Sequence, residues 1–528
     1  MSRRIALAGM LIVLALGTLF TGCDQLTNPK NDNTAPTVAS AISDLSLNVD
    51  STFTKDLSAV FSDKENDALS FTASSSDGNI ATASVSGNNL SVQGMAEGTA
   101  AIKVATTDGK HDSVTTSFTV TVATNLIEIN GDITEDTMWE AKNNYLLKVQ
   151  CFVKNGATLT IEAGTTIRAI SEDPNGNAPA LVVTRDSKII ADGTAENPIT
   201  FTSNLDPSTL PQRGTWGGLI LLGNAPVNIS GGEGEVEGLV GVPYGGNDPH
   251  DNSGVLRYVR IWYGGRSIGQ DNEINGISFA GVGDGTVVEH CEVAYNLDDA
   301  YEFWGGTVNI KYMSAVFCGD DDYDTDLGYR GKGQFLFGIK GQQAAGRGFE
   351  MDNNGDDFSA QPRSHPQFYN VTLIGPGGGS PTGDATDQMI RLREGTSGDF
   401  RNILIAYGLA KGVRVTDVPE LATANAPVYP TSADSLYFSP TNNIFDVAGD
   451  RFDPATLPWT AQNIDPQFMS IGGTREGATG LDPRPQNTDI LTGGETLPDD
   501  GFFDPNPEFI GAFGNDLWLS DYSILTQQ

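Results

Sequence analysis

Short runs of alternating apolar and polar residues dominate the chain, and helical periodicity is scarce. Between residues 37 and 123 these runs are separated by turn residues at short intervals, as around Ser117-Phe-Thr-Val-Thr-Val. Alternation with a period of two gives each strand one face for a core. The spacing predicts a small β-sandwich over residues 37–123.

A repeat of one coil length follows from residue 124. Val288-Glu-His-Cys-Glu-Val-Ala-Tyr-Asn-Leu-Asp-Asp aligns with Ile310-Lys-Tyr-Met-Ser-Ala-Val-Phe-Cys-Gly-Asp-Asp at a constant offset of 22 residues. Such repeats are typical of stacked coils, because a single coil cannot bury its own apolar face. The pattern predicts an all-β chain with a right-handed parallel β-helix over residues 124–420. Residues 421–528, rich in Pro, Asn, Asp and Gly, are predicted to form an irregular C-terminal cap.

The first residues have the three parts of a secretory signal. Arg3 and Arg4 precede an uncharged apolar run, and small residues follow it. Phe20-Thr-Gly-Cys23 resembles a bacterial lipobox, which implies a signal peptide over residues 1–22 and lipid on Cys23. An ordinary signal peptide or an uncut anchor is the alternative. Polar residues 23–36 are predicted to form a flexible tether.

Composition narrows the possible partners. The formal net charge is −36, so the chain would repel nucleic acid and anionic headgroups. Of the four cysteines, Cys23 is assigned to lipid, which leaves no disulfide framework. Cys291 and Cys318 are out of coil register, and we expect them to be buried thiols rather than a disulfide.

The stretch Phe61-Ser-Asp-Lys-Glu-Asn-Asp-Ala-Leu-Ser-Phe resembles the cadherin-like and immunoglobulin-like modules of bacterial surface proteins. Asp63, Asp67 and Asp108 are candidate calcium ligands at the tip of this module, since oxygen ligands suit that hard cation. A role as ordinary polar turn residues is the alternative.

Several β-helix motifs resemble those of a family of bacterial surface β-helix proteins. They are Gly254-Val-Leu-Arg-Tyr-Val-Arg-Ile, Asp298-Asp-Ala-Tyr-Glu-Phe-Trp-Gly-Gly-Thr-Val-Asn, Gly319-Asp-Asp-Asp-Tyr-Asp-Thr-Asp-Leu-Gly-Tyr-Arg-Gly and Phe509-Ile-Gly-Ala-Phe-Gly. The resemblance covers most of residues 124–528. It implies a pectin-lyase-like fold and a surface location, and it implies no established activity.

Acidic residues are densest on two successive coils. The repeat would stack one coil on the next about 4.8 Å away, so that like charges lie close together. Such pairs cost free energy unless a cation bridges them or protons are shared. A calcium site is therefore predicted, with a solvated acidic edge as the alternative. The candidate ligands are Asp298, Asp299, Glu302, Asp320, Asp321, Asp322, Asp324 and Asp326, with Glu350, Asp352, Asp356 and Asp357 as a possible third layer.

The same residues suggest an enzyme as the alternative. Asn296-Leu-Asp298 followed by Asp320-Asp321 is similar to the paired motifs of polygalacturonase-type glycoside hydrolases, and Arg391 and Arg393 are candidate substrate-binding bases. The Gly-His-Gly step of those enzymes is missing. A lyase would need calcium and an Arg or Lys base. Aromatic residues near these coils are candidates for stacking on a sugar, with core packing as the alternative: Trp262, Tyr301 and Trp304.

Together these features predict a non-enzymatic lipoprotein that displays a β-helix for adhesion or glycan binding. Calcium is the expected cofactor, with no organic cofactor. The expected partners are the membrane, through lipid on Cys23, and polysaccharide or other surface proteins, but no nucleic acid. The expected location is the outer membrane or cell surface, with the periplasmic face as an alternative. A polysaccharide hydrolase or lyase and a structural surface-assembly subunit are the competing functions.

Overall fold

The computed structural model describes residues 33–269, 272–343, 346–378, 381–417, 435–439, 441–471, 476 and 480–526. The predicted signal peptide, Cys23 and most of the predicted tether lie outside these residues. Two compact units divide between Ala123 and Thr124. Among the described residues, no helix has the length and apolar character needed to span a membrane.

The first unit is a β-sandwich. Its described strands are β1 (Thr37–Val38), β2 (Leu45–Asn48), β3 (Thr52–Asp56), β4 (Phe61–Ser62), β5 (Ser70–Ser75), β6 (Ala81–Ser86), β7 (Asn89–Gly94), β8 (Gly98–Thr107) and β9 (Val114–Ala123), with a 3₁₀ turn at Leu57–Ala59. One sheet has the order β2-β9-β8-β5, a second β3-β7-β6, and β1 pairs with β4. Alternate residues such as Ile102, Val104 and Val120 meet in the core, as their period-two pattern predicts.

The second unit begins with β10 (Asn125–Ile129), β11 (Thr137–Trp139), β12 (Asn143–Leu147), β13 (Gln150–Val153), β14 (Thr158–Ile161), β15 (Thr166–Ala169), β16 (Ala180–Val183), β17 (Lys188–Asp192), β18 (Ile199–Ser203), β19 (Leu219–Leu222), β20 (Gly234–Glu235), β21 (Pro243–Tyr244), β22 (Gly254–Arg257), β23 (Val259–Trp262), β24 (Ser267–Gly269) and β25 (Asn272–Glu273). A 3₁₀ turn occupies Pro207–Thr209.

It continues with β26 (Ile277–Ala280), β27 (Val287–Glu289), β28 (Glu292–Ala294), β29 (Tyr301–Trp304), β30 (Asn309–Val316), β31 (Tyr323–Asp326), β32 (Lys332–Ile339), β33 (Phe349–Met351), β34 (Gln367–Ile374), β35 (Gln388–Leu392), β36 (Gly398–Gly408), β37 (Lys411–Val415), β38 (Leu436–Phe438), β39 (Ile444–Val447), β40 (Phe452–Asp453), β41 (Phe468–Ser470) and β42 (Asp482–Pro485). Helical turns occupy Asp384–Thr386 (3₁₀) and α1 (Thr488–Leu491).

Two sheets form the walls of a parallel β-helix. The larger sheet has the order β10-β11-β12-β14-β15-β17-β18-β22-β23-β27-β28-β30-β32-β34-β36-β38-β39, and the smaller sheet has the order β13-β16-β19-β26-β29-β31-β33-β35-β37-β40. Val288 pairs with Ile310 and Val293 with Ala315, so the offset of 22 residues is the true coil register. The predicted all-β architecture of sandwich followed by parallel β-helix is confirmed.

The interior of the coils is one continuous apolar core. Fully buried aromatic residues stack from one coil to the next, Phe279 on Phe303 and Tyr301 on Tyr323. Stacking lets each coil cover its neighbour's apolar residues, which explains why many coils occur together. Trp459 packs on Phe438 and Phe452 beside the last coil.

One corner of the coils is built from aromatic residues in the left-handed backbone region. Tyr258, His290, Tyr312 and Phe335 have φ between 49° and 59°, a region that bulky residues seldom adopt. Their rings stack nearly parallel with centroids 4.4–4.8 Å apart. Stacking contributes free energy that offsets the backbone strain. These four residues are the corner stack.

Residues 480–526, the C-terminal segment, lie along the outer face of the larger sheet. Leu519, Tyr522 and Leu525 are fully buried there against strand residues such as Val316 and Phe337. Much of the predicted cap therefore covers the side of the β-helix. The reason is that several strands of the larger sheet carry apolar residues on both faces, as in β30 and β36.

Candidate functional site

Acidic side chains form a column on the outer face of the smaller sheet. Glu302 pairs in register with Asp324, Asp324 with Glu350, and Glu350 with Arg391. The neighbouring residues Tyr301, Tyr323 and Phe349 fill the core, so the alternate acidic positions face outward. With the acids beside them they form the carboxylate ladder: Asp298, Asp299, Glu302, Asp320, Asp321, Asp324 and Glu350.

The ladder brings its carboxylate oxygens within reach of one another. They fall into three overlapping groups, and within each group one oxygen per residue lies within 4.8 Å of the others. The groups are Asp298, Asp299 and Asp320; Asp299, Glu302 and Asp324; and Asp321, Asp324 and Glu350. The predicted stacking of Asp298 and Asp299 beside Asp320 and Asp321 therefore matches the geometry.

Arginines neutralise one end of the ladder. The Arg347 guanidinium contacts Asp321 at 3.4 Å and Glu350 at 2.6 Å. Arg393 donates through Nε to both oxygens of Asp352, at 2.9 Å each, and its Nη2 lies 3.1 Å from Glu350. These ion pairs hold the later layers of the column together.

The middle of the ladder receives fewer donors. Asn275 and the Trp304 indole donate hydrogen bonds to Glu302. Asp299 accepts the backbone N–H of Asp321 at 2.8 Å. Asp324 has a buried Oδ1 atom with no hydrogen-bond partner among the described residues. An unpaired carboxylate oxygen between two other acids is costly unless a proton or a cation reaches it.

Burial and mutual repulsion raise the pKa values of these carboxyl groups. Burial raises the pKa of Asp324 well above its ordinary value, and the charge of Glu302 raises it further. Burial and the charge of Asp320 raise the pKa of Asp298 to about 7, and burial and the charge of Asp321 raise the pKa of Glu350 to about 8. Without a bound cation, some carboxyl groups of the ladder therefore keep their protons near neutral pH.

Two predicted metal ligands lie apart from these groups. Asp322 forms a fully buried ion pair with Lys340 at 2.7 Å, which explains its position without a metal. Asp326 accepts the Leu327 backbone N–H at 2.6 Å, and burial raises its pKa to about 7. The sequence pattern grouped them with the ladder because they follow it along the chain.

The predicted stacking aromatics have other roles. Tyr301 is fully buried, and its hydroxyl donates to the carbonyls of Cys291 and Ser314 at 2.9 Å, so no ligand can reach its ring. Trp262 lies on the larger sheet, where the guanidinium carbon of Arg260 is 4.4 Å from the centroid of its ring. Its indole N–H donates a hydrogen bond to Glu292. The stacking prediction is therefore wrong for Tyr301, whereas for Trp262, which is partly exposed, stacking on a sugar stays a prediction.

Trp304 is buried against Tyr244, with ring centroids 6.0 Å apart. Its indole N–H orients Glu302, so this side chain positions the ladder. The prediction that it stacks on a sugar is wrong because a loop of the protein covers its ring.

Comparison with known families agrees with this architecture. The family described as pectate-lyase like beta helix domain matches residues 131–439, more than half of the chain. The chain belongs to this β-helix family. The bacterial Ig-like domain (group 2) matches residues 39–117, which confirms the predicted immunoglobulin-like module. No curated protein and no solved structure matches the chain.

The two domain families support a surface or carbohydrate-related protein. Within the pectate-lyase-like domain, the alternative catalytic residues Asp298, Asp320 and Asp321 are brought together on the ladder. Arg393 contacts the same column, while Arg391 stacks on Glu350 with its Nε 3.8 Å from Oε1.

The acidic tip of the Ig-like domain forms a separate group of close carboxylates. Asp63, Asp67 and Asp108 do approach one another. Lys110 donates to both oxygens of Asp67, at 2.8 and 2.7 Å, and Asp63 accepts the backbone N–H groups of Glu65 and Asp67. The Lys110 ammonium satisfies Asp67, and the turn amides satisfy Oδ1 of Asp63. The buried Oδ2 of Asp63 has no hydrogen-bond partner among the described residues, so calcium at this tip stays a prediction.

Cys151, Cys291 and Cys318 are free and buried, as expected for structural thiols. Sequence reasoning missed Arg347 and Asn275, which contact the ladder from loops between coils. Their positions in loops of irregular length carried no register signal. The Gly residues flanking Arg347 marked only a turn.

Proposed function

We propose that this chain is a lipid-anchored cell-envelope protein whose β-helix carries a calcium-binding acidic face for adhesion or glycan contact. The observation that carries the proposal is the ladder of stacked carboxylates around the unpaired oxygen of Asp324. The pectate-lyase-like and Ig-like domains are consistent with display at a surface.

Calcium fits the donor set of the ladder. This hard cation takes six to eight oxygen ligands with flexible geometry, and carboxylates are its commonest charged ligands. Asp299, Glu302 and Asp324 would hold the ion, because they share one group of close oxygens and carry no cationic partner within the described residues. The ion would offset their repulsion and stiffen the coils.

Calorimetric titration of the purified protein with calcium tests this site. Binding should displace protons near pH 7, because the pKa values of the ladder are raised by burial. Asp324→Asn should abolish the tightest binding step, whereas the matched variant Asp499→Asn, at an exposed position, should not. Unchanged calcium binding by Asp324→Asn would contradict the proposed ligand set.

Lipid attachment is tested separately at Cys23. Expression with a labelled fatty acid should label the wild-type protein and leave Cys23→Ala unlabelled and released from the membrane fraction. Two acyl groups hold a protein at a membrane more firmly than one. Labelling of Cys23→Ala would contradict the anchor.

A polysaccharide-degrading enzyme is the second candidate. It is favoured by the Asp298 and Asp320 pair, because burial raises their pKa values to about 7 and about 6, within the range of a general acid and base. Incubation with uronic-acid and neutral polysaccharides, with and without calcium, tests it. Product that disappears with Asp298→Asn or Asp320→Asn would establish catalysis, and absence of product would leave the binding function.

A further inference from the structure

A buried lysine and aspartate face each other in the coil that carries the middle of the carboxylate ladder. Asp322 directly precedes β31 of the smaller sheet, and Lys340 directly follows β32 of the larger sheet. Both side chains are fully buried, and the Lys340 Nζ atom lies 2.7 Å from Oδ1 of Asp322. The pair therefore joins the two sheets within one coil, at a place closed to bulk solvent.

As an ion pair, these two groups leave polar atoms without partners. The Lys340 ammonium donates to Asp322 and to the Asp320 carbonyl, each at 2.7 Å, and its third N–H finds no acceptor in the described part of the chain. Oδ2 of Asp322 is buried and has no hydrogen-bond partner there either. In a buried ion pair, attraction offsets the lost hydration only when the remaining donors and acceptors are also satisfied. This pair leaves one donor and one acceptor unsatisfied.

The packing around Asp322 holds its carboxyl group in one position. Oδ2 lies so close to the backbone of Gly338 in β32 that a Cβ atom there would overlap it, and Leu373 borders the same glycine. The carboxyl group is therefore confined between β32 and the Lys340 ammonium. Holding two reacting groups in contact turns a bimolecular step into an intramolecular one and lowers its barrier by several kcal/mol.

We propose that Lys340 and Asp322 condense to an intramolecular amide, so that this coil carries a covalent cross-link between its two sheets. One proton moves from the Nζ ammonium to the Asp322 carboxylate along their hydrogen bond. The lone pair of the neutral amine then attacks Cγ, and a C–N bond forms. One C–O bond breaks, and the surplus proton of the nitrogen leaves with that oxygen as water. The reaction needs no oxidant and no other reactant.

The amide suits the site better than the ion pair does. It keeps one N–H, which can still donate to the Asp320 carbonyl, and it has no further N–H that needs an acceptor. The two buried charges disappear, and with them the cost of keeping them out of water. The full burial of both side chains also protects the product, because hydrolysis would need water at the amide.

Trypsin digestion of the denatured full-length protein, followed by tandem mass spectrometry, tests the cross-link. Trypsin cleaves after Lys and Arg but not after an acylated Lys. Residues 312–330 should therefore appear joined to residues 333–347, with Lys340 uncleaved and a combined mass one water below the sum of the two peptides. Protein without the cross-link would give residues 312–330, 333–340 and 341–347 as three separate peptides. The result does not depend on calcium, because neither side chain belongs to the proposed ligand set.

Lys332, on the same strand, is a matched control. Its Nζ atom lies 2.6 Å from Asp500, a contact as short as that of Lys340, but 30% of each of these two side chains is exposed. Lys332 should therefore stay an ordinary ion-pair partner, and trypsin should cleave after it. Lys340→Arg and Asp322→Ala should each abolish the joined peptide, whereas Lys332→Arg should leave it unchanged.

The wild-type digest decides the proposal even where a buried variant fails to fold. Complete cleavage after Lys340, with residues 312–330 at their unmodified mass, would overturn it. So would a joined peptide whose fragment ions place the new bond on Asp320 or Asp321 instead of Asp322. Loss of water within residues 312–330 alone would also overturn it, because a cyclic imide would then account for the mass and Lys340 would remain free.

Discussion

Buried acidic residues on the outer faces of the two β-helix sheets differ in the hydrogen-bond partners that they receive. On the larger sheet, Glu292 is fully buried beneath the C-terminal segment. It accepts hydrogen bonds from Ser523, from the Ile524 backbone N–H at 2.9 Å and from the Trp262 indole at 3.0 Å. The chain itself supplies the partners of this carboxylate.

On the smaller sheet, Asp324 lies between Glu302 and Glu350 and receives no hydrogen bond on its buried Oδ1. The two sheets of the β-helix therefore differ in whether the chain itself supplies hydrogen-bond partners to their buried carboxylates. The difference indicates that the larger sheet is finished by its own C-terminal segment, whereas the ladder is suited to a partner from solution.

Removing the C-terminal segment should have the largest effect on this comparison. Truncation after residue 480 would expose the apolar outer face that Leu519, Tyr522 and Leu525 cover, at roughly 1.5–3 kcal/mol for each large side chain. We expect the second unit to lose its cooperative melting and to bind a hydrophobic dye. Leu519→Ala should cost about 2–5 kcal/mol, and the exposed control Ser520→Ala almost nothing.

Raising the pH should destabilise the ladder when calcium is chelated. The folded pKa values are raised, to about 6 for Asp320, about 7 for Asp298 and about 8 for Glu350, above the ordinary value of 3.8 or 4.5. Folded protein then binds more protons than unfolded protein, so the stability falls as pH rises through these values. The melting temperature in EDTA should drop by roughly 5 °C or more between pH 5 and pH 8.

Calcium bound at the proposed site should reverse most of that drop, because it would favour the ionised form. Melting curves measured across this pH range, with and without calcium, check both statements. A melting temperature that rises with pH in EDTA would show that the ladder is not held protonated in the folded state.

Neutralising Glu292 should destabilise the β-helix. Glu292→Gln places an amide N–H₂ where Oε2 accepts from the Ser523 and Ser314 hydroxyls, so these hydroxyls lose their acceptor, while the remaining oxygen still accepts the Ile524 backbone N–H. The cost should be about 1–3 kcal/mol in chemical denaturation. Equal or greater stability of this variant would mean that the carboxylate does not hold the C-terminal segment.

The equivalent change on the ladder should change the free energy of unfolding in the opposite direction and by the smallest amount. Asp324→Asn replaces a buried carboxyl group that must either keep its proton at pH 8 or carry a charge between Glu302 and Glu350, so in EDTA at pH 8 it should stabilise the protein by about 1 kcal/mol. In calcium that advantage should vanish, because the wild type gains the ion. If Asp324→Asn destabilised the protein in EDTA, the proposed difference between the two sheets would be contradicted.

Much of this fold was readable from the sequence because coils repeat. The offset between Val288 and Ile310 gave the register directly, and with it the stacking of Asp299 near Asp321. The next layer was harder to predict, since a longer loop separates Asp324 from its partner Glu350. Register arguments fail where loop length varies, because the period is then lost.

The contacts of the C-terminal segment were not predictable from its pattern. Phe513, Leu519 and Tyr522 have no strand or helix period, so nothing in their spacing indicated which face they would cover. The prediction that aromatic residues near the acids stack on a sugar failed at Tyr301 for a related reason. Sequence neighbours of the acids, such as Tyr301, alternate inward and fill the core.

The position of the C-terminal segment also orders the events of folding. Its residues follow every strand that they cover, from β28 to β39, and those strands carry outward-facing apolar side chains such as Val316 and Leu404. During synthesis, the coils can therefore stack before these covering residues are made. The apolar outer face of the larger sheet then stays exposed until residues 510–525 have been made, and apolar surface exposed on a partly folded chain favours aggregation.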